Sequence, residues 1–430
     1  MRITHLSPYD NLGGAARAAR RLHQGLLRAG HQSRMVVGWR TLSGPEVSGF
    51  IPDASRMDRL TASGWMALDR VTGLQYLYRP WSRRVLRHPA VQSAEAIVLH
   101  NVHGGHLALP LLPRLGRIAP LVWAIGDLWP LTGHCAFPVT CERWKQGCGR
   151  CPDLQGDPGI AVDTTAWLWR LKQRLYRRMA PVIVTPSRWL ADRIGESPLL
   201  GWCQVRTIPY GLDTEVFRPL AKPAARQALG LPLDADVILF AAYSARDPRK
   251  GAALAAQALR MAAAGRRKKD LWLVTVGRDA EGQPEWDLPI PVRHLGPVVD
   301  EQLLTACYSA ADVLLAPSQA ESFGQVYSEA MACGTPCIAL RTTAVPEVVR
   351  HLETGYLADP DDSESLLRGL RWLLDDEPRR QRLGVAAREV AKREYALETQ
   401  VRRYHALLQE LTECQDAARV PQPIHEPLTV

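Results

Sequence analysis

The sequence contains no uninterrupted run of about eighteen apolar residues, the length that a helix needs to cross a bilayer. Its first residues, Met1–Leu6, have the pattern of a strand and lack the basic region, apolar core and cleavage site of a signal peptide. The chain also lacks an internal repeat, and no segment resembles an RNA- or DNA-binding module. These absences predict a cytoplasmic protein without a membrane-spanning helix and without a nucleic-acid partner.

The length and composition of the chain are typical of a soluble globular protein. Its 430 residues suffice for two domains of ordinary size, each with a core of its own. Hydrophobic residues make up 46% of the sequence and charged residues 23%, as in folded soluble domains. We therefore expect two domains.

Positive charge is concentrated in the first part of the chain. Residues 1–190 carry 25 Lys and Arg against 11 Asp and Glu, whereas residues 191–430 carry 28 against 33. Segment Trp167–Arg178 mixes Trp, Leu and Tyr with basic residues, as helices at membrane interfaces do. An ordinary packed helix with a basic outer face is an equal alternative. The pattern leaves open whether the first domain binds an anionic membrane surface.

The most informative pattern is a pair of carboxylates, Glu321 and Glu329. The apolar run at 312–317 before them predicts a buried strand, and the glycine at 334 predicts the end of a helix. A second strand pattern follows at 336–340. Ligands of such βαβ units bind at the carboxyl ends of the strands, so Glu321 is predicted to lie in a ligand crevice.

The same segment offers a place for an anion. The start of the helix beside Glu321 has N–H groups without helical partners and the positive end of the helix dipole, which favour a phosphate. Glu329 lies within the helix, where it is in reach of a ribose hydroxyl pair. Carboxylates beside an anion site suit a nucleotide sugar. Two glutamates on a solvated helix face would have the same spacing. The neighbouring segments must therefore decide between a ligand site and a solvated face.

Segments 309–318, 321–329, 334–337 and 346–347 together resemble the donor-binding signature of retaining glycosyltransferases of family 4. The resemblance implies an α/β protein with the GT-B fold, in which two Rossmann-like domains face a central cleft. It also implies transfer of a sugar from a nucleotide-sugar donor, here expected to be a UDP- or GDP-sugar.

The organisation of this family predicts the domain boundaries, since the run at 208–219 resembles its inter-domain linker. We expect an acceptor-side domain at 1–209 with a Cys-rich insertion at 134–155, a nucleotide-sugar-binding domain at 210–387, a helix at 388–412 that returns to the first domain, and a disordered tail at 413–430.

The resemblance also implies the groups that bind the donor diphosphate. Gly13 and Gly14 follow the first strand, where the glycine loop of the family approaches the diphosphate and the acceptor. Lys250 matches the cation that neutralises the diphosphate. An arginine should join it, either Arg246 or the adjacent Arg249.

Further donor contacts are implied around the carboxylate pair. Glu321 is expected to bind sugar hydroxyls, the backbone at Phe323 and Gly324 to reach the sugar or phosphate, and Glu329 to bind the ribose. The retaining class works by a same-face displacement in which the leaving phosphate helps to deprotonate the acceptor. Lys250 and the helix dipole would offset the charge, so no catalytic metal is expected.

The acceptor side departs from the family pattern. The run that begins at Val122 matches a subgroup linked to bacterial extracellular polysaccharides such as colanic acid, yet Gly126 stands where many relatives have a histidine. Asp127 is the preferred candidate for the acceptor-side catalytic group. Three histidines are alternatives, namely His100, His103 and His134. His103 comes just after a strand, so we expect it to face the cleft.

Four cysteines, Cys135, Cys141, Cys148 and Cys151, fall in one short segment with the spacing C-x5-C-x6-C-x2-C. In a cytoplasmic protein such a cluster favours a metal over disulfides. Four thiolates suit a closed, tetrahedral zinc site with a structural role. The first pair is spaced more widely than in a standard zinc ribbon, so free thiols or a redox pair remain alternatives.

The expected function is transfer of a sugar to a lipid-linked or oligosaccharide acceptor in the synthesis of cell-surface polysaccharide. The protein would be cytoplasmic, either free or peripheral on the inner face of the cytoplasmic membrane. Two alternatives are a nucleotide-sugar epimerase of the same fold and a nucleotide-sugar-binding protein that has lost activity. The carboxylate pair and the glycine loop favour transfer, whereas Gly126 motivates the inactive alternative.

Overall fold

Strands and helices alternate along most of the first domain. The computed structural model describes residues 1–51, 56–138, 140–265, 269–278 and 286–419. The strands of the first domain are β1 (Arg2–Tyr9), β2 (Gln32–Trp39), β3 (Val47–Gly49), β4 (Ala96–His100), β5 (Leu121–Ala124), β6 (Val182–Thr185) and β7 (Val205–Thr207). Its helices are α1 (Gly13–Arg28), α2 (Arg56–Thr72), α3 (Ser82–Arg87), α4 (Pro89–Gln92), α5 (Leu112–Leu115), α6 (Thr165–Met179) and α7 (Arg188–Gly195).

The second domain repeats this alternation. Its strands are β8 (Asp236–Ser244), β9 (Leu271–Arg278), β10 (Val292–His294), β11 (Val313–Ala316), β12 (Cys337–Leu340) and β13 (Gly355–Ala358). Its helices are α8 (Lys222–Leu229), α9 (Ala252–Ala264), α10 (Glu301–Ala310), α11 (Gln325–Ala332), α12 (Val345–Val348), α13 (Ser363–Leu374) and α14 (Glu377–Glu394), and α15 (Leu397–Arg419) ends the described chain.

Each domain is built on one parallel sheet. The strand orders are β3-β2-β1-β4-β5-β6-β7 and β10-β9-β8-β11-β12-β13. All residues of β4, β11 and β12 are buried, as expected of apolar strands that are covered on both faces of a parallel sheet. The predicted pair of Rossmann-like α/β domains is therefore confirmed.

The two sheets place the predicted site residues at one cleft. Strand order reverses between β1 and β4 in the first sheet and between β8 and β11 in the second. Ligands bind at such switch points, beyond the carboxyl ends of the strands. Gly13 follows β1, Asp127 follows β5, Lys250 follows β8 and Glu321 follows β11. All four line the same cleft.

The helix that returns to the first domain begins later than predicted. Residues 388–394 form the end of α14, which packs on α11 in the second domain. The crossing is made by α15, whose Leu397, Val401 and Tyr404 join a core cluster with residues of β1 and α1. The boundary at 388 was wrong because the break at 395–396 contains neither Pro nor Gly to mark it.

The end of the chain also differs from the prediction. α15 continues to Arg419, so the tail predicted to be disordered, 413–430, begins inside a helix. Residues 420–430 lie outside the described residues. Among the residues that are described, no helix combines the length and apolar character that crossing a membrane requires.

Gly25 allows α1 and α15 to pack closely. A Cβ at Gly25 would lie 2.6 Å from Cγ2 of Val401 and 3.0 Å from Cγ of Leu397. Ala is ordinarily favoured over Gly inside a helix by about 0.5–1 kcal/mol. We nevertheless predict that Gly25→Ala lowers the thermal unfolding midpoint, measured by circular dichroism, because of this clash.

Gly64→Ala is the matched control, because it lies inside α2 with no atom within 4 Å of the added Cβ. This substitution should preserve or raise the midpoint. Equal responses of the two variants would contradict the close packing of α15 on α1.

Candidate active site

The cleft between the domains is lined by loops and helix starts from both sides. In the first domain these are the turn between β1 and α1 and the loop after β5, and in the second the loop after β8 and the start of α11. Tyr210 of the linker lies between them. A ligand in this cleft would contact both domains at once.

Lys250 and Glu321 form an ion pair in the cleft. Lys250 ends a short 3-10 turn, and its Nζ lies 2.6 Å from Oε1 of Glu321. The loop is fixed because the backbone N–H of Glu321 donates to Oγ1 of Thr343 at 2.9 Å. The two groups that the sequence predicts to bind the donor are therefore adjacent and neutralise each other in this structure.

Of the two candidate arginines, Arg249 lines the cleft and Arg246 does not. Arg246 is exposed, and it lies outside the set of residues that form the cleft wall. Arg249 pairs with Asp247 at 2.7 Å, and its guanidinium lies 4.2 Å from the ring centre of Phe137. The short turn after β8 turns Arg249 inward, so the structure favours Arg249 over the predicted Arg246.

The carboxylate of Glu329 has three neighbouring partners in the structure. The side chain is 1% exposed, and its Oε2 accepts a hydrogen bond from the hydroxyl of Tyr308 at 2.8 Å. Its Oε1 lies 2.8 Å from Nη2 of Arg21 and 3.8 Å from Nη1 of Arg17, both on α1. Glu329 also lines the cleft, where a ligand could reach it. Its contact with ribose stays a prediction.

Two helices begin at the cleft without a side-chain cap. Gly324 precedes α11 with a φ of +84°, and a Cβ there would lie 2.4 Å from the Tyr327 ring. Leu12 precedes α1 and likewise provides no side-chain hydrogen bond. Nε2 of Gln325 donates to the backbone oxygen of Gly14 at 2.8 Å, which joins the two helix starts. Two uncapped helix N-termini favour an anion in this cleft.

Asp127 and His103 are brought together as candidates on the acceptor side. Oδ1 of Asp127 accepts from the backbone N–H of Trp129 at 2.9 Å, and Oδ2 lies 3.5 Å from Nε2 of His103. Burial lowers the pKa of His103, although the charge of Asp127 opposes this, so the ring is neutral at pH 7. Asp127 lines the cleft. His103 was expected to face the cleft, but it contacts Asp127 without being part of the cleft wall.

The other two candidate histidines, like His103, lie outside the cleft wall. His100 is paired with His5 across the first sheet, with 2.9 Å between Nε2 and Nδ1, and burial lowers the pKa of His100 to about 3. His134 lies in the Cys-rich insertion, with Nε2 3.3 Å from Sγ of Cys151. Both histidines therefore contact residues that support the fold, not residues of the cleft.

The phenol of Tyr210, a residue of the linker, occupies the space beside Gly126. A Cβ at Gly126 would lie 2.6 Å from the hydroxyl oxygen of Tyr210. Burial raises the pKa of Tyr210, so the phenol is neutral and able to donate. Phe323 packs edge-to-face on Tyr210 at 5.4 Å, and its side chain is buried rather than part of the cleft wall. A side chain at 126 would displace Tyr210.

The four cysteines of the insertion surround one small cavity. They form no disulfide and line this cavity with His134. Burial raises the pKa of the Cys135 thiol to about 12 and that of Cys148 to about 11. Within the described ranges, no group of three or more His, Cys, Asp or Glu side chains is arranged to hold a metal ion. Four thiols are chemically suited to bind zinc. In this structure, however, they are not arranged as the ligands of a metal ion, so the zinc site stays a prediction.

Several cleft residues were missed from the sequence. They are Arg17, Tyr210 and Tyr308, together with Arg21, which does not line the cleft but pairs with Glu329. Arg17 and Arg21 stand four positions apart in an Ala-rich helix directly after the glycine turn, which is a pattern that places both on one helix face. Their partner on the other domain lies far along the chain, and only the tertiary structure reveals it.

Comparison with known proteins agrees with this geometry. Residues 221–390 match the family described as glycosyl transferases group 1. The second domain thus carries the signature of group 1 glycosyltransferases. The putative colanic acid biosynthesis glycosyl transferase WcaC of Escherichia coli is 29% identical over 360 residues, which cover 79% of this chain and 82% of WcaC. A D-inositol 3-phosphate glycosyltransferase of Acidothermus cellulolyticus is 33% identical over 204 residues, only 44% of either chain.

Solved structures of other proteins show the same fold. HepE of Anabaena, in complex with UDP and glucose, superposes with a TM-score of 0.68 at 18% identity, covering 96% of this chain and all of HepE. Sucrose-phosphate synthase of Thermosynechococcus elongatus superposes with a TM-score of 0.66 at 20% identity and the same coverage. These likenesses confirm the predicted GT-B fold.

If the zinc predicted from the sequence binds here, the four cysteines must move together, and the purified protein should contain about one zinc ion per chain. Cys148→Ser should then lose the metal and lower the thermal unfolding midpoint, as measured by elemental analysis and calorimetry. Cys203→Ser is the matched control, since Cys203 is half-buried in the same domain but outside the cavity. A metal-free wild-type protein, or a Cys148→Ser variant with unchanged metal content, would contradict the zinc site.

Proposed function

We propose that the protein is a retaining glycosyltransferase that moves a sugar from a UDP- or GDP-sugar to a lipid-linked or oligosaccharide acceptor in cell-surface polysaccharide synthesis. The observation that carries the proposal is the cleft where Lys250, Glu321 and Glu329 meet the glycine turn of the first domain. The group 1 match supports the donor side. The similarity to WcaC covers 360 residues and therefore extends into the first domain. It supports a polysaccharide acceptor.

On the donor side, cationic groups surround the place where a diphosphate would leave. Lys250 and the N-termini of α1 and α11 would stabilise the negative charge that develops on the leaving group. In this proposal those groups suffice and no catalytic metal is required. Glu321 would exchange its contact with Lys250 for sugar hydroxyls. HepE has been solved with UDP-glucose, and a nucleotide-sugar donor for this chain agrees with that likeness.

On the acceptor side, Asp127 would orient the attacking hydroxyl. It lines the cleft, its Oδ1 accepts a hydrogen bond from the N–H of Trp129, and its Oδ2 lies 3.5 Å from Nε2 of His103. In a same-face displacement the leaving phosphate takes the acceptor proton, so Asp127 needs only to position the hydroxyl. The neutral phenol of Tyr210 stands beside it as a second hydrogen-bonding group.

A basic face of the first domain supports peripheral contact with an anionic membrane. The inner face of α6 is buried in the core, so the helix is not free to insert into lipid. Its outer face presents exposed Arg170, Arg174, Arg177 and Arg178. None of the four forms an ion pair with any carboxylate of the described ranges. A lipid-linked acceptor would be reached from such a surface.

The test of the donor site is a thermal-shift panel of UDP-, GDP-, ADP- and dTDP-sugars, followed by transfer assays with lipid extracts. Stabilisation by one nucleotide class and incorporation of its sugar would support the proposal. Isomerisation of the donor sugar without transfer would point to the epimerase. Binding without transfer or hydrolysis would point to the inactive binding protein.

We predict that Lys250→Ala weakens donor binding by about 10- to 100-fold, because a hydrogen bond to a charged group contributes about 1.5–3 kcal/mol. Calorimetric titration with the donor found in the panel measures this. Lys392→Ala, which removes an exposed lysine from α14, should bind as the wild type does. Equal affinities of the two variants would remove Lys250 from the site.

Membrane contact predicts a dependence on lipid charge. The wild-type protein should sediment with phosphatidylglycerol vesicles but not with phosphatidylcholine vesicles, and the Arg174→Glu/Arg178→Glu variant should remain in solution. The control Arg382→Glu/Arg402→Glu makes the same charge change on α14 and α15 and should still sediment. Loss of binding in both variants would show that only net charge matters.

A further inference from the structure

Helix α1 carries two arginines that approach Glu329 of the second domain. Arg21 is the more buried, with 5% of its side chain exposed. Its guanidinium lies 2.8 Å from Glu329, donates through Nε to Oε1 of Glu301 at 2.8 Å, and donates through Nη1 to Oε1 of Gln325 at 3.3 Å. Arg21 therefore already neutralises the buried carboxylate of Glu329.

Arg17 lies one turn nearer to the start of α1 and is bound differently. Its Nη1 lies 3.8 Å from Oε1 of Glu329, a longer distance than that of Arg21. It makes no hydrogen bond to any residue in the described part of the chain, and 25% of its side chain is exposed. It lines the cleft beside Gly13 and Gly14. The donors of its guanidinium are thus available to a ligand.

Two other cations of the cleft already have a carboxylate partner, and a third, Arg278, donates through Nη1 to the hydroxyl of Tyr243 at 3.1 Å. Lys250 is paired with Glu321 at 2.6 Å, and Arg249 with Asp247 at 2.7 Å. A ligand with two phosphates would also meet the uncapped N-terminus of α1, on the same helix as Arg17. A guanidinium can bind two phosphate oxygens at once. Arg17 lies in the cleft where helices α1 and α11 begin, which suits such a contact.

We propose that Arg17 binds the diphosphate of the nucleotide sugar, so that the first domain supplies a charged contact to the donor as well as the acceptor site. This inference rests on the proposed function. Arg21 holds Glu329 in place, and Arg17 is left to contact the ligand. Donor binding then draws on charged side chains of both domains, and the site is complete only when the cleft is formed.

The experiment is calorimetric titration of the full-length protein with UDP and GDP, and with uridine and guanosine. Arg17→Gln should weaken binding of the preferred diphosphate at least ten-fold while the affinity for the matching nucleoside is unchanged. Arg17→Lys keeps the charge and should restore part of the loss. Arg20→Ala removes a neighbouring arginine of α1 that does not line the cleft, and it should bind as the wild type does.

The outcomes separate the two hypotheses. Diphosphate binding by the wild type that is unchanged in both Arg17→Gln and Arg17→Lys would overturn this inference and leave the proposed function standing. An equal loss in Arg17→Gln and Arg20→Ala would also overturn it, because a general charge effect would then explain the result. A wild-type protein that binds neither nucleotide would overturn the proposed function and this inference with it.

Discussion

The buried ion pair between Arg21 and Glu329 is the contact on which the arrangement of the two domains depends. Burying two charges is costly unless each finds further partners. Here Glu301 and Gln325 bind Arg21, and Tyr308 donates to Glu329. Removing Arg21 would leave the buried carboxylate of Glu329 with only the hydroxyl of Tyr308 and the more distant Arg17. The pair therefore favours one relative position of α1 and α11, and that position brings both helix starts to a single cleft.

A second contact acts on the other side of the linker. The carboxylate of Glu347 in α12 accepts hydrogen bonds from the backbone N–H groups of Arg188 and Trp189, at the start of α7. A carboxylate at a helix N-terminus is favoured by the N–H groups and the helix dipole. Polar contacts between α12 and α7 thus join the two domains in addition to those between α11 and α1.

Much of the fold was predictable because parallel strands that are buried on both faces leave continuous apolar runs. The segments at 312–317 and 336–340 became β11 and β12, and the helix between them begins after Gly324. The return helix was misplaced because no breaker separates α14 from α15. In the site, Lys250 and Glu321 were predicted from the resemblance and are adjacent. The sequence left the choice between Arg246 and Arg249 open, because the turn that directs Arg249 inward leaves little trace in it.

By itself the sequence determined the two α/β domains, the strand ends that carry the site, and the carboxylate pair, because these depend on local periodicity and short spacing. Only the tertiary structure decided which side chains meet across the cleft. Arg21 reaches Glu329, Tyr210 fills the space beside Gly126, and Phe137 of the insertion lies under Arg249. Each of these contacts joins residues far apart in the chain. Such contacts follow from how two domains pack, and no local pattern specifies that packing.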